Sequence, residues 1–171
     1  MRAGNISKRS RVYDLDDLDL SILEKLLGDA RVSFRELAAS TKSDQRTIAS
    51  HFERLMKIGI IKRVTVDVDW SKVGFTASAF MGSTTALGAE DVEKLFEFMR
   101  REPRILEAYA TLGTHEYFMK VLDLDIATLR SGVSAPLESL TADLSTSVIV
   151  NPIKEPDVTG LLRYLKKARR S

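Results

Sequence analysis

The 171-residue chain contains no cysteine, only two histidines, one tryptophan and four prolines. Without a thiol there is no disulfide framework, no thiolate nucleophile and no cysteine-based metal site, and two imidazoles alone make a poor metal set. Long apolar runs are missing as well: no stretch approaches the roughly 20 residues that span a bilayer. The opening MRAGNISKRSRVYDL carries bases with no apolar segment behind them, so it does not read as a secretory signal. These features predict a cytoplasmic protein with no membrane partner. No Ser/His/Asp order, glycine-rich phosphate loop or paired carboxylate site is persuasive. No catalytic residue, metal or cofactor is therefore expected, and the chain reads as a non-enzyme.

Charge is scarce in sum and strong in places. The formal net charge is only +2. Yet residues 1–13 hold Arg2, Lys8, Arg9 and Arg11 with no acid, and residues 42–63 hold six bases against Asp44 and Glu53. Residues 71–155 are acidic, with twelve acids to eight bases, and residues 156–171 carry five bases against Asp157. A uniformly basic chain would coat nucleic acid indiscriminately. This distribution suggests one half that meets an anion and another with a different task.

The stretch LDDLDLSILEKLL, residues 15–27, sets Leu15, Leu18, Ile22, Leu23, Leu26 and Leu27 at spacings of three and four, which predicts an amphipathic helix. Asp14 or Asp16 can cap it. SFRE at Ser33–Glu36 is a capping box that opens a second helix through Leu37, Ala38 and Ala39, stopping in STKS. Asp44 then caps a third helix whose buried stripe is Ile48, Phe52 and Leu55. Opposite lie Arg46, Ser50 and Lys57, flanked by Thr47 and Arg54, with His51 at one edge. Gly59 suits a left-handed position after the helix, with Ile60 as the hydrophobic contact that follows. Three helices in about 45 residues, the last two closely joined, predict a helix-turn-helix whose third helix enters the major groove. Arg46 is then placed for a guanine edge, and Gln45, Thr47 and Ser50 for bases or phosphate, with His51, Arg54 and Lys57 alongside. IIKRVTVDVDW alternates like a strand, so a wing is expected, with Lys62 and Arg63 on the DNA backbone. Glu53 shares the basic face and can pair with Lys57. A merely solvated charged face is the bland alternative.

Residues 70–74, WSKVG, read as a link. Beyond it come a strand (75–86), a helix (89–102), strands (105–113 and 116–124), a weaker helix (126–140) and a strand (144–153). This βαββαβ order predicts a ferredoxin-like antiparallel sheet with both helices on one face. The uncovered face, assigned from Phe118, Val121, Val148 and Val150, calls for a partner subunit. Val158, Leu161, Leu162 and Leu165 then make one stripe of a C-terminal helix, read as a docked cover for the dimer. The expected fold class is α+β. A basic arm (1–13) precedes a winged helix-turn-helix (14–69), a linker (70–74), a ferredoxin-like domain (75–155) and a basic helix (156–171).

On these motifs the chain resembles the Lrp/AsnC, or feast/famine, family of prokaryotic transcription regulators over nearly its whole length. LDDLDLSILEKL, RVSFRELA, ERLMKIGIIKR and VDWSKVGF are similar to that family's DNA-binding half. EAYATLG, EYFMKVL and STSVIV resemble strands of its effector domain, of the RAM type. The resemblance implies a double-stranded DNA partner, a homodimer paired sheet to sheet or assembled further to an octamer, and an effector such as an amino acid near the dimer contacts. With two-fold symmetry, the operator should be pseudo-palindromic. The family's Gly-Asp-Tyr-Asp turn is here Gly113, Thr114, His115 and Glu116. These residues, with Thr146 on the neighbouring last strand, form the candidate effector site, against the alternatives of a tight hairpin and an ordinary strand threonine. A second resemblance, to decarboxylases of siroheme and haem biosynthesis that share the two-domain fold, would make His115 a porphyrin-binding residue. Against it stand the basic third helix and the want of an arginine cluster for the carboxylates.

Overall fold

A computed structural model describes residues 12–84, 89–154 and 156–169. In chain order its elements are α1 (Asp17–Gly28), α2 (Phe34–Thr41), α3 (Gln45–Lys57), α4 (Trp70–Val73), β1 (Ala77–Thr84), α5 (Ala89–Arg101), β2 (Ile105–Ala110), β3 (Tyr117–Asp123), α6 (Ile126–Leu129), a π-helical turn (Arg130–Ser134), α7 (Ala135–Glu138), β4 (Asp143–Val148) and α8 (Val158–Ala168). They fall into two compact units. Among the described residues, one runs from Val68 to Ile153; the other combines residues 12–67 with those from Lys154 to Arg169.

In the helical unit the caps do what the sequence asks of them. Asp16 is the residue that caps α1: its carboxylate accepts from the Asp19 amide, while Asp19 accepts from the Asp16 amide. Ser33 and Glu36 form the reciprocal box at α2, and Asp44 caps α3. Ile22, Leu37, Ala38, Ile48 and Leu55 make the core, each large side chain contributing about 1.5–3 kcal/mol by leaving water. Gly59 takes the left-handed conformation (φ 77°), and the Ile60 amide donates back to the Leu55 carbonyl. The hydrophobic contact comes one residue later than expected, since Ile61 packs on the core while Ile60 is exposed. The expected wing strand does not form: residues 62–69 lie outside any helix or strand. Alternation supplies one edge of a hairpin, and the chain turns into α4 before offering a second run to bond it.

The C-terminal helix, read as a docked cover for the dimer, belongs within its own chain to this helical unit and packs on α1. Lys166 Nζ lies 2.5 Å from Glu24 Oε2, and Arg169 donates to the Leu15 carbonyl at 2.8 Å. Leu162 is buried here, and so is Leu20, which lies outside the three-helix core on the face of α1 that carries Asp17, Ser21 and Glu24.

The second unit is the expected βαββαβ sheet, with antiparallel order β2-β3-β1-β4. Ala77, Ala79, Met81, Met119 and Val121 face the helices and pack with Leu95, Leu129, Val133 and Leu137. Val121 is therefore core, not part of the uncovered face; Val148 pairs opposite Ala79 on the helix side of an edge strand, and Val150 lies beyond β4. The uncovered face is set instead by Phe80, Tyr109 and Phe118, which are 45%, 57% and 39% exposed. The second helix, read as continuous, is interrupted by the π-helical turn. Arg104 reaches this turn: its guanidinium bonds the Gly132 carbonyl (2.9 Å), Glu102 (2.6 Å) and Asp123 (3.1 Å). A Cβ at residue 132 would collide with that guanidinium.

Asp123 and Glu102 are nearly buried, so removing Arg104 leaves two carboxylates without their cation. Arg104→Met should lower the stability of this unit by about 2–3 kcal/mol. A reduced urea midpoint with an unchanged slope would check it.

Candidate nucleic-acid interface and effector turn

The turn between α2 and α3 is only residues 42–44, tightened by Lys42 in a left-handed conformation (φ 55°). It fixes how α3 is presented. Ile48 and Leu55 are fully buried, and at 100° per residue the opposite side carries Arg46, Ser50, Glu53 and Lys57, all exposed, with Gln45 at its start. Thr47 is half-buried. Its amide and hydroxyl donate to Asp44 at 2.9 and 2.6 Å, and these bonds, the hydroxyl's foremost, hold the Asp44 carboxyl below its ordinary range. The Thr47 proton thus serves the cap before it could serve a base.

His51 and Arg54 depart furthest from expectation. Both turn toward α1, where His51 Nδ1 lies 2.8 Å from Asp19 Oδ1 and the Arg54 guanidinium bonds Asp19 Oδ2. Asp19 is fully buried. Burial alone would raise its pKa, but the hydrogen bonds to His51 and Arg54 outweigh that and hold it below the ordinary value of 3.8. His51 and Arg54, expected alongside the DNA-facing residues, thus bond α3 to α1, with the Arg54 side chain still 42% exposed. Asp19 itself was not singled out by periodicity. Its signal was the D-x-x-D spacing after Asp16, with a base and an imidazole three residues apart on the facing helix. Asp16, Asp19 and His51 could also gather round a cation, their ligand atoms lying within 4.8 Å of one another; the Arg54 guanidinium already supplies positive charge there. Lys62 and Arg63 lie exposed in the segment after α3.

In the sheet unit the turn after β2 is closed by backbone bonds, Thr111 amide to Glu116 carbonyl (2.7 Å) and Glu116 amide to Ser83 carbonyl (3.0 Å), and by the Thr111 hydroxyl donating to the His115 carbonyl (2.5 Å). The His115 ring folds over Gly82, where a Cβ would come within 2.8 Å of it, and meets Phe118 edge-on at 5.7 Å. Its Nε2 lies 3.1 Å from Ser145 Oγ. Thr146 pairs opposite Met81, which faces the helices, so His115 is brought to Ser145 and not to Thr146. Gly113, Thr114 and Glu116 share the turn with His115. A ring packed on a sheet and bonded to serine does not favour the porphyrin-binding reading. Between α5 and the edge strand β2 lies a cleft of about 210 Å³, lined by Phe96, Met99, Arg100, Tyr109 and Tyr117 among others.

Comparison with known proteins covers both units. Residues 15–62 match the family described as winged helix-turn-helix DNA-binding, and residues 78–159 the Lrp/AsnC ligand binding domain. Regulatory protein AsnC of Haemophilus influenzae is 31% identical over 145 residues, 83% of this chain and 96% of that protein. The HTH-type transcriptional regulator LrpC of Bacillus subtilis is 32% identical over 107 residues, 63% of this chain and 73% of that one. Among solved structures, AsnC of Escherichia coli aligns with a TM-score of 0.76 at 25% identity, covering 86% of this chain and 99% of its own. A transcriptional regulator of Neisseria meningitidis in complex with L-Met shares the fold, with a TM-score of 0.78 at 21% identity over 83% of this chain and 94% of its own.

The Asp19 cluster generates a test that needs no DNA. Asp19→Asn should cost about 1.5–3 kcal/mol at neutral pH, the range for hydrogen bonds to a charged group. Because the folded carboxyl ionises below 3.8, its contribution is complete above that value and fades as the pH falls toward the lowered one. Denaturation curves of wild type and variant should accordingly converge in acid and separate above it.

Proposed function

The chain belongs to the Lrp/AsnC family of transcription regulators, and from that premise we propose that it reads a pseudo-palindromic operator through the exposed face of α3, as a homodimer. Its DNA-binding, transcription-regulating role is that of its relatives. The observation that carries the assignment of residues is the contrast across one helix: Ile48 and Leu55 fully buried, Arg46, Ser50 and Lys57 fully presented. Arg46 makes the bidentate contact to guanine, with Gln45 and Ser50 beside it. Lys57, Lys62 and Arg63 supply phosphate contacts, which position the protein without reading sequence. Thr47 contributes mainly through the cap, and His51 and Arg54 by holding the helix in place.

Homodimerisation is supported by the apolar sheet face of Phe80, Tyr109 and Phe118, which a second copy covers; octamers would be built from such dimers. An amino acid is the effector class we favour, in keeping with the L-Met complex of the Neisseria protein. We assign its site to the turn Gly113–Glu116. Such a ligand acts only by binding one arrangement of subunits better than another. The relatives are named regulatory proteins, and we infer no enzymatic step. Among the described residues no helix is long and apolar enough to cross a membrane; we place the protein in the cytoplasm, with its DNA.

Selection from random duplex DNA at two salt concentrations should recover one pseudo-palindromic motif, bound more weakly at the higher salt. Arg46→Ala should relax the preference at one base pair per half-site by about 1–3 kcal/mol, whereas Lys62→Ala or Arg63→Ala should weaken all sequences and reduce the salt slope by about one. Uniform weakening by Arg46→Ala would remove its base-reading role. For the effector, one or more amino acids should shift operator affinity, and Glu116→Gln should reduce that shift; an unresponsive complex across the twenty would end the proposal.

A further inference from the structure

α8 has one broad apolar side, and only its edge at Leu162 is covered. Leu162, Lys166 and Arg169 face α1. Continuing round the helix from Leu162, the stripe of Val158, Leu165, Leu161 and Tyr164 is 49%, 39%, 69% and 73% exposed, while Arg163 and Lys167 lie on the opposite, basic side. A helix of this length gains nothing from wetting four such side chains. Nearly all of α8 also lies beyond the ligand-binding-domain match, which ends at residue 159.

We propose that this stripe seats against the same stripe of a second copy, as an antiparallel helix pair. Charge selects both the occupant and its direction. The helix is acidic where it begins, at Asp157, and basic where it ends, at Lys167 and Arg169, Lys166 being paired with Glu24. An antiparallel partner sets each acidic start beside a basic end and opposes the two helix dipoles; a parallel one stacks like charges. Size sets the role. An 11-residue helix is about 16 Å long and covers a few hundred Å², well short of the roughly 1,200 Å² of a stable interface. The pair therefore forms between copies already joined, and in this respect it rests on the sheet-face dimer proposed above. Because α8 is clamped to α1, the pair couples two DNA-binding units directly and fixes the distance between their recognition helices.

The chain has no cysteine, so single cysteines in the full-length protein report the contact without DNA. With a short bis-maleimide, Leu161→Cys should convert most of the protein to covalent dimer and Arg163→Cys, on the basic side, should not. Val158→Cys should join Ala168→Cys in a mixture but not itself. No cross-linking by Leu161→Cys in a sample that sediments as a dimer overturns the helix pair and leaves the dimeric regulator standing. Self-linking by Val158→Cys overturns the antiparallel arrangement, and sedimentation as a monomer overturns both readings. Cross-linking by a protein that selects no DNA motif supports the contact while defeating the operator reading. The double variant Leu161→Glu, Tyr164→Glu should remain dimeric and keep its half-site affinity but lose its preference among half-site spacings. An unchanged preference would overturn the coupling of the DNA-binding units.

Discussion

Asp19 is buried without being isolated. Its Oδ1 meets His51, its Oδ2 meets Arg54, and the same carboxylate accepts from the Asp16 amide to complete the cap of α1. A charge removed from water needs compensation on every side, and here the compensating groups come from two helices. The consequence is directional. Leucines and isoleucines can hold α3 against α1 over a range of rotations, whereas two hydrogen bonds from α3 to one buried carboxylate fix its rotation. What α3 shows to the outside is set by what it gives up on the inside. Arg46 and Lys57 stay presented because His51 and Arg54 are spent on alignment.

Much of this was legible in the sequence, and the exceptions share a cause. Local rules placed the capping box at Ser33 and Glu36, the cap at Asp44, the left-handed Gly59 and, of the expected stripe, Ile48 and Leu55, while Phe52 is only half-buried and packs on Phe34. Strand order followed from alternation and connection length. The losses came where partners are remote. His51 looks like an edge residue until Asp19, 32 residues earlier, is seen beneath it. Val121 and Phe118 both look apolar; which of them faces the helices is a matter of register. Thr146 and Ser145 differ by one position and lie on opposite faces, so choosing between them without the ladder was arbitrary. The break in the second helix was hidden as well, and the Arg104 guanidinium that bonds the Gly132 carbonyl within it comes from 28 residues earlier.

The charge asymmetry also finds a structural sense. The basic segments at residues 42–63 and after 156 belong to one unit although more than ninety residues separate them, while the acidic stretch is the sheet unit. Each unit keeps one apolar surface uncovered, the sheet face in one and the outer side of α8 in the other. Surfaces of this kind favour association of like with like, because the same patch recurs on every copy.

The packing of α8 on α1 orders events in time during synthesis. Glu24 and Lys166 are 142 residues apart, and Leu15 and Arg169 are 154 apart, so this unit begins to emerge before the sheet unit and is finished only after it. Its three-helix core can close early on local contacts, but Leu20 stays bare until the whole sheet unit has been made and the final residues emerge. A nascent chain stalled anywhere before residue 158 would therefore display a folded helix-turn-helix with one open apolar flank, a state that chaperones can recognise and the finished protein does not retain.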